Sequence, residues 1–185
     1  MSGPQSDNLT LKESFIKAGL FEKLVLCLST WFGAGLMPRA PGTFGTLGAV
    51  PIIFLINYIG YLYEVFFLII FIPMAVFSSG KSEKLLERDD PPEVVIDEVA
   101  GFLLTVFLLP LSWLTLSVGF ILFRLFDILK PFPISRMEKT LKGGTGIVFD
   151  DLLAGVYANL CLRILHYFNM ENLILSAGVD IGSFV

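Results

Sequence analysis

The chain has 185 residues, of which 55% are hydrophobic and only 16% charged, with a formal net charge of −4 and a mean hydropathy of +0.77. A soluble domain carries about a quarter charged residues, so much of this surface meets something other than water. No basic domain or stripe offers a surface to nucleic acid, and the length suits one domain.

Residues 1–10 are polar and read as a disordered tail; they lack the basic segment and apolar core of a signal peptide. Over residues 11–29, Phe15, Leu20, Leu24 and Leu28 oppose Lys12, Lys17 and Lys23. That pattern predicts one amphipathic helix suited to a membrane surface. Residues 30–48 contain Pro38, Pro41 and several glycines, which predicts a structured loop. Residues 47–77 are almost wholly apolar and exceed the ~20 residues of one crossing. Their middle, around Asn57, Tyr58, Tyr61 and Tyr63, is polar and tyrosine-rich, so two helices turning near Gly60 are expected. Residues 78–92 are polar and end at Pro91-Pro92.

A second apolar stretch, residues 94–129, is interrupted by Pro110 and again predicts two legs and a turn. Residues 131–149 read as a polar loop, 150–168 as the last helix, and 169–185 as a tail. The expected fold is all-α: a multi-helix integral membrane bundle of hydrophobic hairpins, one domain over residues 11–168, with polar loops on one side.

That common side follows from charge. Arg39, Lys81, Lys84, Arg88, Lys130, Arg136, Lys139 and Lys142 lie in three polar segments, residues 30–46, 78–98 and 127–151, and neither hairpin turn carries a lysine or arginine. The positive-inside rule then places all three polar segments in the cytoplasm. Some legs approach only 14 residues, or ~21 Å, so a leg that dips in and returns is as acceptable as one that crosses. Cys27 and Cys161 stand alone in apolar runs and read as buried hydrophobes. His166 reads as a helix-end residue.

Three clusters could carry chemistry. Asp97 and Glu98 stand where a helix runs into apolar sequence, with Glu93 one turn earlier. Acids at a helix start can serve the dipole, but ionisable groups beside a membrane segment are costly and usually functional. Arg124, Asp127 and Lys130 recur every three residues, either as a snorkelling ion-paired stripe or as a metal-binding carboxylate between two phosphate-binding cations. Asp150 and Asp151 follow a glycine-rich run; spacing alone slightly favours Asp150 as a helix cap over a metal ligand, while a second adjacent aspartate is not needed for capping. Carboxylate oxygens suit Mg²⁺ or Mn²⁺. Arg39, Arg124, Lys130 and Lys142 could neutralise phosphate oxygens. The turn from Gly42 and Thr43 to Thr46 could hold an anion or be an ordinary tight turn. No cysteine precedes an arginine by five residues, no histidine is placed as a nucleophile, and no D-x-D-x-T occurs. Phosphate chemistry here would rest on metal and carboxylates.

Five blocks in order carry a resemblance: Thr30 to Gly35, Pro38 to Thr46, Val95 to Gly101, Phe123 to Pro131, and Gly143 through Asp150-Asp151 to Gly155. Over roughly residues 25–165 the chain resembles the phosphatidylglycerophosphatase A family, with Phe44 where the family often has tryptophan. The resemblance implies an all-helical, Mg²⁺-requiring enzyme of the bacterial inner membrane. Such an enzyme removes the terminal phosphate of phosphatidylglycerophosphate to give phosphatidylglycerol in phospholipid synthesis. On this reading Asp97, Asp127, Asp150 and Asp151 bind metal, Glu98 binds through water or accepts a proton, and Arg39, Thr43, Arg124 and Lys130 hold phosphate. A transporter, with ion-binding carboxylates near mid-bilayer, and a non-catalytic scaffold for anionic lipid are the rival classes.

Overall fold

The computed structural model describes residues 5–136, 141 and 143–176, and every regular element among them is helical. In chain order these include α1 (Gln5–Lys17), α2 (Leu20–Ser29), a 3₁₀ turn (Ala34–Leu36), α3 (Pro41–Gly48), α4 (Val50–Ile59), α5 (Tyr61–Leu86), α6 (Ile96–Thr105), α7 (Trp113–Leu129) and α8 (Gly144–Ser176). Helices α3 and α4 run on through Ala49, whose backbone stays helical. The combined stretch Pro41–Ile59 and the following Tyr61–Leu86 are each long and apolar enough to cross a membrane. The turn between them falls at Gly60, whose φ of 126° is open to glycine and strained for other residues.

The second hairpin differs. Helix α6 has 10 residues and rises only ~15 Å, too little to cross a ~30 Å hydrocarbon layer. It is instead the central element: Ile96, Val99, Ala100, Phe102 and Leu103 are all buried. Phe102 meets Phe123 and Phe120 of α7 at centroid distances of 6.1 and 6.2 Å. Burying one such ring contributes about 1.5–3 kcal/mol. Both hairpin turns lie at one end of the molecule. There Glu64 accepts from Asn57 Nδ2 at 3.2 Å and from the Leu108 amide at 3.0 Å. Asn159 Nδ2 of α8 donates to the carbonyls of Thr105 and Phe107, which satisfies groups orphaned at the end of α6.

Four sequence expectations are corrected. The single amphipathic helix over residues 11–29 is two: Gly19 caps α2 in an extended conformation and donates its N–H to Glu22 Oε2 at 3.0 Å. Helix α1 already begins at Gln5, inside the segment expected to be disordered. The loop expected over residues 30–48 folds into the 3₁₀ turn and α3, because Pro41 occupies the first helical turn, where its fixed φ fits and no donor is lost. The loop expected up to residue 149 ends at Gly144, where α8 begins; α8 then continues past residue 168 to Ser176. Gly144 permits that start, since a Cβ there would run into the Val76 carbonyl and the Gly80 backbone of α5.

The segment between α5 and α6 is stapled by Arg88, whose Nη2 donates to both Glu93 oxygens, at 2.6 and 2.5 Å. Glu93 is only 5% exposed, so its carboxylate cannot turn to water if the arginine is lost. Arg88→Ala is expected to lower stability by about 2–3 kcal/mol, checked by thermal unfolding in detergent. Arg88→Ala, Glu93→Gln together should recover most of that loss.

Candidate active site

Four segments converge at the end opposite the hairpin turns. Asp97 and Glu98 lie in the first turn of α6, Arg124 and Asp127 in the last two turns of α7, Lys130 at its C-cap, and Asp150 and Asp151 near the start of α8. Ala40, Pro41 and Gly42 at the start of α3 close one side. These residues line an open cleft of about 300 Å³. Gly42 is required by space: a side chain there would strike the Glu98 carboxylate and come within 3.2 Å of Arg124 Nη1.

The carboxylates meet because α6 and α8 cross backbone to backbone. A Cβ on Gly155 would hit the Gly101 carbonyl, and one on Gly101 would lie 2.6 Å from the Asp151 carbonyl oxygen. On each helix a carboxylate sits one turn before the crossing glycine: Asp97 before Gly101, and Asp151 before Gly155. The same spacing on both helices places the acids side by side. One ligand oxygen from each of Asp97, Glu98 and Asp151 lies within 4.8 Å of the others. Asp97 is 7% and Asp151 4% exposed.

The two cations are already engaged. Arg124 Nη1 pairs with Asp127 Oδ2 at 2.8 Å, and Lys130 Nζ with Asp150 Oδ2 at 2.7 Å. Asp97 Oδ1, Glu98 Oε2 and Asp150 Oδ1 are buried and accept no hydrogen bond. Orphaned buried carboxylate oxygens cost several kcal/mol each unless a cation meets them. The donor set is all oxygen and anionic, so these residues fit a hard divalent ion such as Mg²⁺.

Electrostatics agree. Burial pushes Asp97 and Asp151 well above the usual carboxylate range, and the charge of Glu98 raises both further. Burial also raises Glu98 and Asp150, opposed by hydrogen bonding from Asp97 and Lys130 respectively. An acid whose folded pKa exceeds its unfolded one binds more protons in the native state. Metal-free protein should therefore be less stable at pH 7 than at pH 5, losing stability as pH rises above the unfolded carboxylate range and through the raised values. Saturating Mg²⁺ should remove that slope, which unfolding at several pH values with and without metal would test.

The structure thus brings together Asp97, Glu98, Asp127, Asp150, Asp151, Arg124 and Lys130. Arg39 is exposed on the approach to α3, and Thr43 is half-buried one residue past the part of α3 that lines the cleft. Lys142 and Lys139 lie outside the described residues. Sequence reasoning missed Asp90, which lines the cleft in a left-handed conformation with φ 45°. Its signal was the Asp89-Asp90-Pro91-Pro92 run, where the prolines restrict the chain. Ala40 (φ 51°) and Lys130 (φ 42°) border the same cleft in the same rare conformation. Each such residue costs roughly 1–2 kcal/mol, so part of the backbone strain borders this cleft, while Trp31, Phe32, Glu87 and Leu108 carry it elsewhere.

Fold and cleft together define a helical protein with two membrane-length apolar stretches and a carboxylate site flanked by an arginine and a lysine. A sequence profile described as Phosphatidylglycerophosphatase A matches residues 27–166. Phosphatidylglycerophosphatase A of Escherichia coli strain K12 is 34% identical over 130 residues, covering 70% of this chain and 76% of the relative. The protein of that name from Haemophilus influenzae is 34% identical over 76% of this chain and 87% of its own length. A Bacteroides thetaiotaomicron protein provisionally named phosphatidylinositol-3-phosphatase is also 34% identical, over 76% of this chain and 92% of its own. No solved structure matches. The chain belongs to the phosphatidylglycerophosphatase A family, and is a phosphatidylglycerophosphatase, a phosphoric monoester hydrolase.

Proposed function

We propose that this chain hydrolyses the terminal phosphate of phosphatidylglycerophosphate with Mg²⁺, at the cytoplasmic face of a bacterial inner membrane, as a step of phospholipid synthesis. The observation that carries the reading is the set of orphaned carboxylate oxygens directly beside Arg124 and Lys130. Asp97, Asp127, Asp150 and Asp151 would hold the metal. When bound, Mg²⁺ supplies positive charge that polarises the phosphoryl group and acidifies a water.

Arg124 and Lys130 hold the phosphate oxygens and neutralise their charge, exchanging their present carboxylate partners for it. Arg39 and Thr43, at the margin, supply outer contacts to the lipid headgroup. Glu98, with a buried oxygen and a raised pKa, accepts the proton from the attacking water. The water oxygen bonds to phosphorus in line as the bond to the glycerol oxygen breaks. The proton then passes to that oxygen, leaving phosphatidylglycerol and inorganic phosphate. The acyl chains stay in the bilayer beside the apolar helices, and the cleft opens at the polar end of the bundle.

The test is phosphate release from phosphatidylglycerophosphate by purified protein in detergent, with Mg²⁺, with a chelator, and with Asp127→Asn. Release should vanish with the chelator, return on adding Mg²⁺, and fall at least about a hundredfold with Asp127→Asn. A phosphatidylinositol 3-phosphate arm bears on lipid choice, given the name of the Bacteroides relative. Chelator-resistant release would sink the metal reading. Well-folded protein that releases nothing would sink the substrate.

A further inference from the structure

The family match begins at residue 27, so α1 and most of α2 lie outside it, and nothing in the site uses them. Helix α2 is apolar on two faces. Val25, Leu26 and Ser29 face inward and are buried. Leu20 (80% exposed), Phe21 (60%) and Leu24 (62%) face outward, joined by Ile16 of α1 at 76%. Outward-facing groups of this size in one patch mark a contact surface.

Two observations say what covers it. First, the patch is continuous with the outer surface of α5: the Phe21 ring lies 6.3 Å from that of Phe77, which is itself 55% exposed. Phe77 stands sixteen residues after Tyr61, ~24 Å along the helix, near where a helix crossing a ~30 Å layer would emerge. The patch is therefore level with the edge of the hydrocarbon, at the end of α5 nearer the catalytic cleft. Second, lysines frame it. Lys12 and Lys17 are exposed, Lys23 Nζ lies 5.8 Å from the Phe15 ring centroid, and Lys81 on α5 approaches Glu22 at 3.9 Å. Apolar groups pointing out beneath a fringe of lysine are the pattern of a helix lying in an anionic headgroup layer.

We infer that α1 and α2 form an interfacial anchor, seated in the phospholipid headgroup layer on the catalytic side, with Ile16, Leu20, Phe21 and Leu24 inserted below the phosphates. The inference rests on reading α5 as a membrane-crossing helix. The anchor would hold the cleft at headgroup height, where a membrane-held phosphomonoester presents itself.

The test uses full-length protein with Cys27 and Cys161 changed to serine and one fluorophore attached at Leu24→Cys or, as control, Ile69→Cys. Ile69 is 62% exposed on α5. Both side chains already point away from the protein, so labelling leaves the fold intact. The protein is placed in vesicles of phosphatidylcholine with phosphatidylglycerol, containing nitroxide lipids labelled either shallow or deep on the acyl chain. The probe at 24 should be quenched by the shallow label more than by the deep one, and aqueous iodide quenching should fall to roughly half its value for protein in detergent-free denaturant. The probe at 69 should prefer the deep label. If 69 is quenched by lipid but 24 responds only to iodide, the anchor is wrong while the crossing stands. Shielding of 24 from both lipid and iodide would mean that a second protein copy covers the patch, and would also overturn it. If neither position senses lipid, the crossing fails and the anchor with it.

Discussion

Asp97→Asn and Asp151→Asn should each lower phosphate release by roughly a hundredfold to a thousandfold, while raising the melting temperature of the metal-free protein. The first effect follows from the site: each residue supplies an oxygen to the three-carboxylate cluster, and losing a charge-bearing group aimed at a reacting phosphate costs ~3–4 kcal/mol of barrier. The second follows from burial. Both side chains are pushed well above the usual carboxylate range by desolvation and by each other's neighbours. The native fold without metal therefore carries an electrostatic penalty that an amide of equal shape relieves. A gain of 1 kcal/mol in a chain of this size moves the midpoint by about 2–4 °C. The wild type should overtake both variants once Mg²⁺ is added, because only it binds the ion strongly. The measurement is thermal unfolding of all three proteins across a Mg²⁺ titration. A metal-free loss of stability in both variants would mean that these acids hold the fold together and are not the ion's ligands.

Gly155→Ala is expected to destabilise the protein and to disturb the site. Alanine gains about 1 kcal/mol over glycine in a helix interior. Here the added carbon would collide with the Gly101 carbonyl, and a backbone atom in a buried helix cannot swing aside. Overpacking of this kind costs about 1–3 kcal/mol, so the net effect is destabilising. It should also part α6 from α8 and loosen the cluster, weakening Mg²⁺ binding by about tenfold or more. Gly119→Ala is the control. Its new methyl would meet Leu162 Cδ1 at 3.2 Å and Thr105 Cγ2 at 3.3 Å, and side-chain ends can yield. That variant should bind Mg²⁺ as the wild type does, with stability changed by less than about 1 kcal/mol. Isothermal titration of Mg²⁺ and unfolding of both variants decide it. Equal Mg²⁺ affinity in the two would show that the crossing does not set the site.

The two arguments share one feature, a pairing of residues about fifty positions apart. Hydrophobic run lengths, Gly60, Pro110 and the uneven spread of lysine and arginine were enough to read helices, hairpins and a single polar end. These are local properties: a run of apolar side chains and a break in it need no partner to be recognised. Apart from Asp90, the acids and bases of the cleft were visible for the same reason, as charges at the edges of apolar sequence.

What each charge pairs with depended on how the helices cross. Spacing within α7 offered Asp127 to both Arg124 and Lys130, whereas the fold gives Lys130 to Asp150, twenty residues away. The glycines after residue 143 looked like loop because glycine is a poor helix former. Packing against Gly80 and the Val76 carbonyl makes glycine the residue that fits at position 144, where α8 starts. Asp90 was passed over because nothing in Asp89-Asp90-Pro91-Pro92 says that the chain turns back over α6. The sequence by itself determined a helical chain with membrane-length apolar stretches and acids gathered at one end. Only the tertiary structure decided which acids share a site, because that is set by two glycines meeting across α6 and α8 and by no property of either helix alone.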